Sequence, residues 1–148
     1  MLKDTMKITG TLNVKHYDSE YRLIQELDLK NLVVNTGKNF IAQRMVGTGT
    51  NIMSHMAVGG TNASQTVLDT ALGSELARVA LTTSAVSENT ITYVATFPAG
   101  TPSLTSNLYE AGIFNAASAG TMLCRTTFGL VTKNPSDIIT ITWQIALT

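Results

Sequence analysis

A period of two in the apolar positions marks the N-terminal part of the chain. In KITGTLNVKHY, residues 7–17, one parity carries Ile8, Gly10, Leu12, Val14 and His16. This alternation predicts a strand with one buried face. After a polar DSE turn, the stretch YRLIQELDLKNLVV places leucines on one parity and ends in an apolar run. We expect a hairpin partner strand there, followed by a buried strand end.

One segment, NTGKNFIAQRMVG, has helical spacing instead. Its apolar residues at this spacing are Phe40, Ile41 and Met45. Asn35 and Thr36 are residue types that cap helix N-termini, and a glycine at position 47 is typical of a helix end. The pattern predicts a short helix capped by Asn35 or Thr36 and stopped at Gly47. Residues 61–73 have a looser pattern that allows at most one or two helical turns.

Strand patterns dominate the rest of the chain. SHMAVGG predicts a brief strand, and ELARVALTTSAV leads into the β-branched strand NTITYVATF. PAGTPSLTSN interrupts the series, because Pro98 and Pro102 lack the amide hydrogen that a central strand needs. LYEAGIFNA and TMLCRTTFGLVTK, joined by the small-residue turn ASAG, predict a hairpin.

The last segment, DIITITWQIALT, has the clearest alternation in the chain. Trp143 shares its parity with four aliphatic residues, Ile139, Ile141, Ile145 and Leu147. This face predicts a strand within a sheet, with Trp143 as an anchor of the core. Six to eight strands, with turn signals about every ten residues, predict an antiparallel β-sandwich or barrel with one short helix. We expect one β-rich domain over residues 1–148.

The content of charged residues and the net charge indicate which kinds of partner the protein is expected to bind. Charged residues make up 14% of the chain, against roughly 25% in an ordinary soluble domain. Ten basic and ten acidic residues give a formal net charge of zero, so no overall field attracts nucleic acid or anionic lipid. We therefore expect neither as a partner. A neutral, hydroxyl-rich surface suits a protein packed among neighbours, because no net repulsion keeps its copies apart.

The sequence has few features that indicate disulfide bonding, secretion or membrane insertion. Cys124 is the only cysteine, so no intrachain disulfide is expected and cytosolic assembly is the simplest interpretation. The N-terminal residues have no apolar core of signal-peptide length, and no segment approaches the roughly 20 apolar residues of a membrane span.

Candidate catalytic and metal-binding residues do not combine into a site. His16 and His55 each stand alone, without a second ligand at metal-binding spacing. Cys124 lies in a predicted strand, where a buried thiol packs as a small apolar group, and the glycine-rich stretches lack a full phosphate-loop fingerprint. We expect no catalytic, cofactor or metal site, and hence no enzyme.

Glu110 interrupts the apolar run LYEAGIF, so its charge requires solvent, an ionic partner or hydrogen bonds. Arg78 and Arg125 are the available partners, and arginine can bind a carboxylate through two parallel hydrogen bonds. The hypothesis is a structural polar clamp that joins Glu110 to one of these arginines across neighbouring strands.

The order of several segments resembles small virion structural proteins of tailed bacteriophages, including capsid decoration (cement) proteins, and the N-terminal domain of phage tail-collar fibre proteins. The resemblance runs from about Lys30 onward. Its segments are NLVVNTGKNFIAQRM, SHMAVGGTNASQTVLDTALGSELARVAL, NTITYVATF, LYEAGIFNAASAGTMLCRTTF and VTKNPSDIITITWQI.

This resemblance implies a β-rich assembly protein of the virion, built in the host cytoplasm. It implies a homo-oligomer whose partners are the major capsid protein or proteins of the tail or neck, and it implies no catalytic residues. Tail-collar fibres continue into a shaft after this domain, whereas this chain stops at Thr148. The expected role is therefore self-contained: a capsid decoration protein, or alternatively a small tail-collar, neck or baseplate component.

A receptor- or glycan-binding module is the alternative from another class. Tyr17, Tyr21, Tyr109 and the loop at 98–107 would form its stacking surface.

Overall fold

Two five-stranded antiparallel sheets form a sandwich in the computed structural model, which describes residues 4–49 and 51–148. The described strands are β1 (Ile8–Tyr17), β2 (Leu23–Lys30), β3 (Leu32–Val33), β4 (His55–Gly59), β5 (Glu75–Ala80), β6 (Thr83–Ser87), β7 (Thr90–Phe97), β8 (Ser106–Phe114), β9 (Met122–Lys133) and β10 (Ile138–Leu147). Helix α1 (Asn35–Met45) follows β3. The first sheet has the order β2-β1-β10-β7-β6 and the second β3-β9-β8-β4-β5. The predicted fold class, mainly β with one short helix, is confirmed.

The main core lies between the inner faces of the two sheets. Strand β10 is central in the first sheet, with β1 and β7 on either side, so the predicted strand within a sheet is found there. Trp143 pairs with Leu12 on β1 and Tyr93 on β7, and it is fully buried. The apolar side chains that alternate along β1, β7 and β10 therefore form one side of the core, as the sequence patterns of these strands predict.

The helix begins one residue earlier than its predicted caps allow. Val34 occupies the N-cap position and makes no side-chain cap hydrogen bond, so the expectation of an Asn35 or Thr36 cap is wrong. The Thr36 hydroxyl instead donates to the Met122 carbonyl, at 2.8 Å. A contact with β9 thus takes the hydroxyl that capping would have used. Gly47 lies just past the helix with a φ of +69°, as a helix stop does.

The segment ELARVALTTSAV divides into two strands, β5 and β6. Strand β5 is an edge of the second sheet, and β6 is an edge of the first. The chain passes from one sheet to the other at Leu81 and Thr82. The Leu81 amide donates to the carbonyl of Ser54, just before β4, and the Thr82 amide donates to the carbonyl of Val94 on β7. This division, with the two-residue β3, raises the count to ten described strands from the expected six to eight.

A second, smaller apolar cluster lies on the outer face of the second sheet. Its members are Val34, Ala57, Leu72, Phe114 and Met122. Ala57 stands between Met56 and Val58, which both belong to the main core, so Ala57 faces the opposite side of β4. Leu72 comes from segment 61–74, which contains turns and bends but no helix. This segment, called the cover loop below, lies over the outer face.

Trp143→Ala should be the most damaging core truncation on β10. It removes the largest fully buried side chain, and such truncations cost about 3–5 kcal/mol of unfolding free energy. Urea unfolding followed by fluorescence or circular dichroism measures the change. Thr142→Ala, on the outer face of the same strand, is the matched control and should change the unfolding free energy by about 0.5 kcal/mol or less. Equal losses in the two variants would contradict the assigned core.

Candidate functional site

Glu110 is fully buried on β8, beneath the cover loop. Its carboxylate accepts hydrogen bonds from the backbone amides of Gly73, at 3.0 Å, and Ser74, at 2.8 Å. Arg125, on the adjacent strand β9, supplies the positive charge: its Nε donates to Glu110 Oε2 at 2.9 Å. A buried carboxylate requires such donors, since an unpaired one is very costly in an apolar interior.

The Arg125 guanidinium is engaged on three sides. Nε and Nη2 both lie 2.9 Å from Glu110 Oε2, so they converge on one oxygen and do not bind one oxygen each. Nη1 donates to Asp69 Oδ2 at 2.8 Å, and Nη2 also donates to the Ala63 carbonyl at 3.0 Å. Asp69 and Ala63 both belong to the cover loop. Arg125 therefore links two strands of the second sheet to the loop above them.

Asp69 holds its own part of the cover loop in shape. Its carboxylate accepts from the Thr66 amide at 2.8 Å and from the Thr66 hydroxyl at 2.9 Å. Burial alone would raise the pKa of Asp69, but the Thr66 amide and the Arg125 guanidinium outweigh it and hold the pKa below its ordinary value of 3.8. Asp69 is therefore a charged partner for Arg125.

Gly59 is required by the position of Glu110. A Cβ at this position would collide with Glu110 Oε1 and would also lie 2.5 Å from the Ser74 carbonyl oxygen. Gly59 lies opposite Glu110 in the β4–β8 register, so the carboxylate occupies the space that a side chain would fill.

Arg78 lies on the same face but makes a separate set of contacts. Its Nη2 pairs with Glu75 at 2.6 Å, and its Nη1 donates to the carbonyls of Ala116 and Ala119, both at 2.9 Å. The guanidinium carbon also stands 3.8 Å from the centre of the Phe114 ring, in cation–π geometry. The structure thus brings Arg125, and not Arg78, to Glu110. Arg78 instead holds the β8–β9 turn.

A second buried charge network joins the ends of several strands. His16 Nε2 and Asp137 Oδ2 are 2.9 Å apart, and the Asn134 amide donates to the same oxygen. Burial alone would raise the pKa of Asp137, but the Asn134 amide and His16 lower it overall. Lys133, also buried, donates to the Pro98 carbonyl at 3.1 Å, and burial lowers its pKa. This network connects β1, β9 and the loops after β7 and β9.

The remaining candidate residues are separated from one another. Cys124 is buried in the main core, and burial raises the pKa of its thiol. His55 Nδ1 is 2.8 Å from the Ser54 hydroxyl. Tyr17 and Tyr21 stack with ring centres 4.7 Å apart. Within residues 4–49 and 51–148, no group of three or more His, Cys, Asp or Glu side chains is placed to hold a metal ion.

Chemically, the Glu110 cluster can hold a loop and a sheet in a fixed relation. Sequence reasoning identified Glu110 and Arg125 but missed Asp69 and Asp137, which lie far along the chain from their partners. One local signal for Asp69 was present: Thr66-x-x-Asp69 has the spacing of a capping-box turn. No local signal distinguished Asp137, because its partner His16 is on a strand at the other end of the chain.

Glu110→Gln should lower the free energy of unfolding by about 3 kcal/mol or more, the usual cost of leaving one charge of a buried pair unpartnered. The glutamine amide group would also face the N–H donors of the cover loop. Thermal and urea unfolding measure the loss. Exposed Glu20→Gln, whose carboxylate contacts Arg22 at the surface, is the matched control and should have little effect. Unchanged stability in Glu110→Gln would contradict the clamp.

Stability should fall in acid because Asp69 and Asp137 bind protons more weakly in the folded state than in the unfolded state. Their folded pKa values lie below the ordinary 3.8, so their contribution is present above that value and is lost as the pH falls through the lower folded pKa. Unfolding measured between neutral pH and pH of about 2 tests this. Asp137→Asn should be less stable at neutral pH and show a shallower decline, whereas exposed Asp4→Asn should follow the wild-type curve. A wild-type slope in Asp137→Asn would refute the assignment.

In the part of the chain that the structure describes, no helix has the length and apolar character needed to cross a membrane. Searches against protein-family models, curated proteins and solved structures found no significant match to the chain.

Proposed function

We propose that this protein is a non-enzymatic structural subunit of a tailed-bacteriophage virion, acting as a capsid decoration (cement) protein. One observation carries the proposal. The segment LYEAGIFNAASAGTMLCRTTF carries much of the resemblance. Its ionic residues Glu110 and Arg125 bind each other and the cover loop, and so hold the loop on the sheet. Both charges thus serve a rigid framework, as we expect of an assembly protein.

The surface supports contact with other proteins. Charged residues are few, and apolar side chains stand exposed at several places: Tyr21, Leu23, Ile24, Met45, Val46, Ile52, Leu68, Val86 and Leu104. Burying such surface contributes roughly 25 cal/mol per Å² before the cost of association is subtracted. In this proposal the protein forms a homo-oligomer, binds the major capsid protein and stabilises the particle after assembly in the host cytoplasm.

A tail-collar, neck or baseplate role is the second candidate, favoured by the similarity to the N-terminal domain of tail-collar fibres. The same framework and contacts would serve there, with tail or neck proteins as partners. A glycan- or receptor-binding role has one supporting observation: Tyr21 is 62% exposed and stacks on Tyr17 next to the β1–β2 turn. Such a ring pair can bind the face of a sugar.

Virions prepared with and without the gene test the proposal. A decoration protein should be labelled by antibody over the whole head, and particles lacking it should release DNA at a lower temperature while their tails remain normal. Supplying the wild-type protein in trans should restore the heat resistance. Labelling confined to the tail or neck would select the second candidate, and absence of the protein from purified particles would refute both.

A further inference from the structure

Strand β6, with the sequence TSAVS, is a fully exposed edge of the first sheet. All five residues are exposed. The strand pairs with β7 on one side, through Thr83↔Val94 to Ser87↔Thr90. Among the described strands, none lies on its other side. The backbone amides and carbonyls that point outward from β6 therefore form a template to which another strand can bind.

The other three sheet edges carry features that discourage such pairing. Strand β2 bears Glu26, Asp28 and Lys30, and β3 has only two residues. Strand β5 bears Glu75 and Arg78, and its pairing with β4 contains a register shift at Val58/Gly59. Charges, short length and bulges are the devices by which proteins protect exposed edges. Strand β6 has no charged residue, no proline and a regular register with β7.

An apolar groove adjoins this unprotected edge. It has a volume of about 450 Å³ and lies between α1 and the inner face of the first sheet. Its apolar lining includes Phe40, Ile41, Met45, Val86, Ile91 and Leu147. Val86 is 73% exposed and Met45 is 76% exposed. Val86 pairs with Ile91 on β7, so the groove reaches the edge strand itself. Exposed apolar surface of this kind marks interaction sites.

We infer that β6 is a self-association edge, at which β6 of a second copy pairs antiparallel about a two-fold axis to join the two first sheets. Centred on Ala85, this pairing sets Ala85 against itself and places Val86 of each copy beside Ser84 of the other, on the face that carries the groove. The strand is uncharged, so self-pairing opposes no like charges, and a two-fold interface requires such self-complementarity. The inference deepens the proposed function by naming the surface of its homo-oligomer.

Charge substitutions at Ala85 provide the test, using the purified full chain. Sedimentation velocity and light scattering should find a wild-type dimer. Ala85→Lys and Ala85→Glu should each raise its dissociation constant by roughly tenfold or more, because each sets like charges against each other. An equal mixture of the two variants should restore the dimer, because lysine then faces glutamate. Recovery in the mixture also demonstrates that both variants are folded.

Two further variants distinguish pairing at β6 from a general effect of added surface charge. Ala80→Lys places the same charge on an exposed position of β5 and should leave the dimer intact. Val86→Ser trims the groove without adding charge and should weaken association while circular dichroism stays unchanged. A monomeric wild type, an unaltered dimer in the Ala85 variants, no recovery in the mixture, or equal loss in Ala80→Lys would overturn the inference. The inference rests on the homo-oligomer of the proposed function, but these measurements need no virion. A failure at β6 therefore leaves the place of the protein on the particle to be decided by the antibody labelling.

Discussion

The buried ion pair between Glu110 and Arg125 is the constraint on which the second sheet depends. Its two members are fully and almost fully buried, and charges removed from water in this way need good geometry and further hydrogen bonds. The cover loop supplies them through the Gly73 and Ser74 amides, the Ala63 carbonyl and the Asp69 carboxylate. The ion pair and the loop therefore require each other, and neither can be removed alone.

The same interdependence explains the outer apolar cluster. Leu72 packs with Phe114 and its neighbours because the cover loop is fixed to the sheet at two points. Glu110 binds the end of the loop at Gly73, and Arg125 binds its middle at Asp69. Gly59 leaves the space that the carboxylate fills. Burial of Leu72 supplies an apolar contribution that the ion pair by itself does not provide, since a buried pair alone adds little net stability.

The outer face of the second sheet and the β6 edge of the first sheet differ in how much of their surface the chain itself covers. The outer face of the second sheet is occupied by its own loop, with polar groups matched within the chain. The far edge of the first sheet remains uncovered at β6, with apolar residues of α1 and β7 beside it. The proposed assembly role and the inferred self-association draw on these two features: buried ion pairs matched within the chain, and an exposed edge strand without charge.

The class of fold, the strand faces and the place of Trp143 can be predicted from the amino-acid sequence, because strand alternation and burial are local consequences of a period of two. The sequence also indicated that Glu110 needed a partner, since a charge in an apolar run has few options. Which arginine is that partner depends on how the strands are arranged in the folded chain. Arg125 lies across a hairpin from Glu110, whereas Arg78 is drawn to Glu75 and to the β8–β9 turn. The tertiary structure also decided that ELARVALTTSAV divides between two sheets, and that Asp69 and Asp137 complete the ionic networks. These outcomes depend on contacts between residues distant in sequence, which no local pattern encodes.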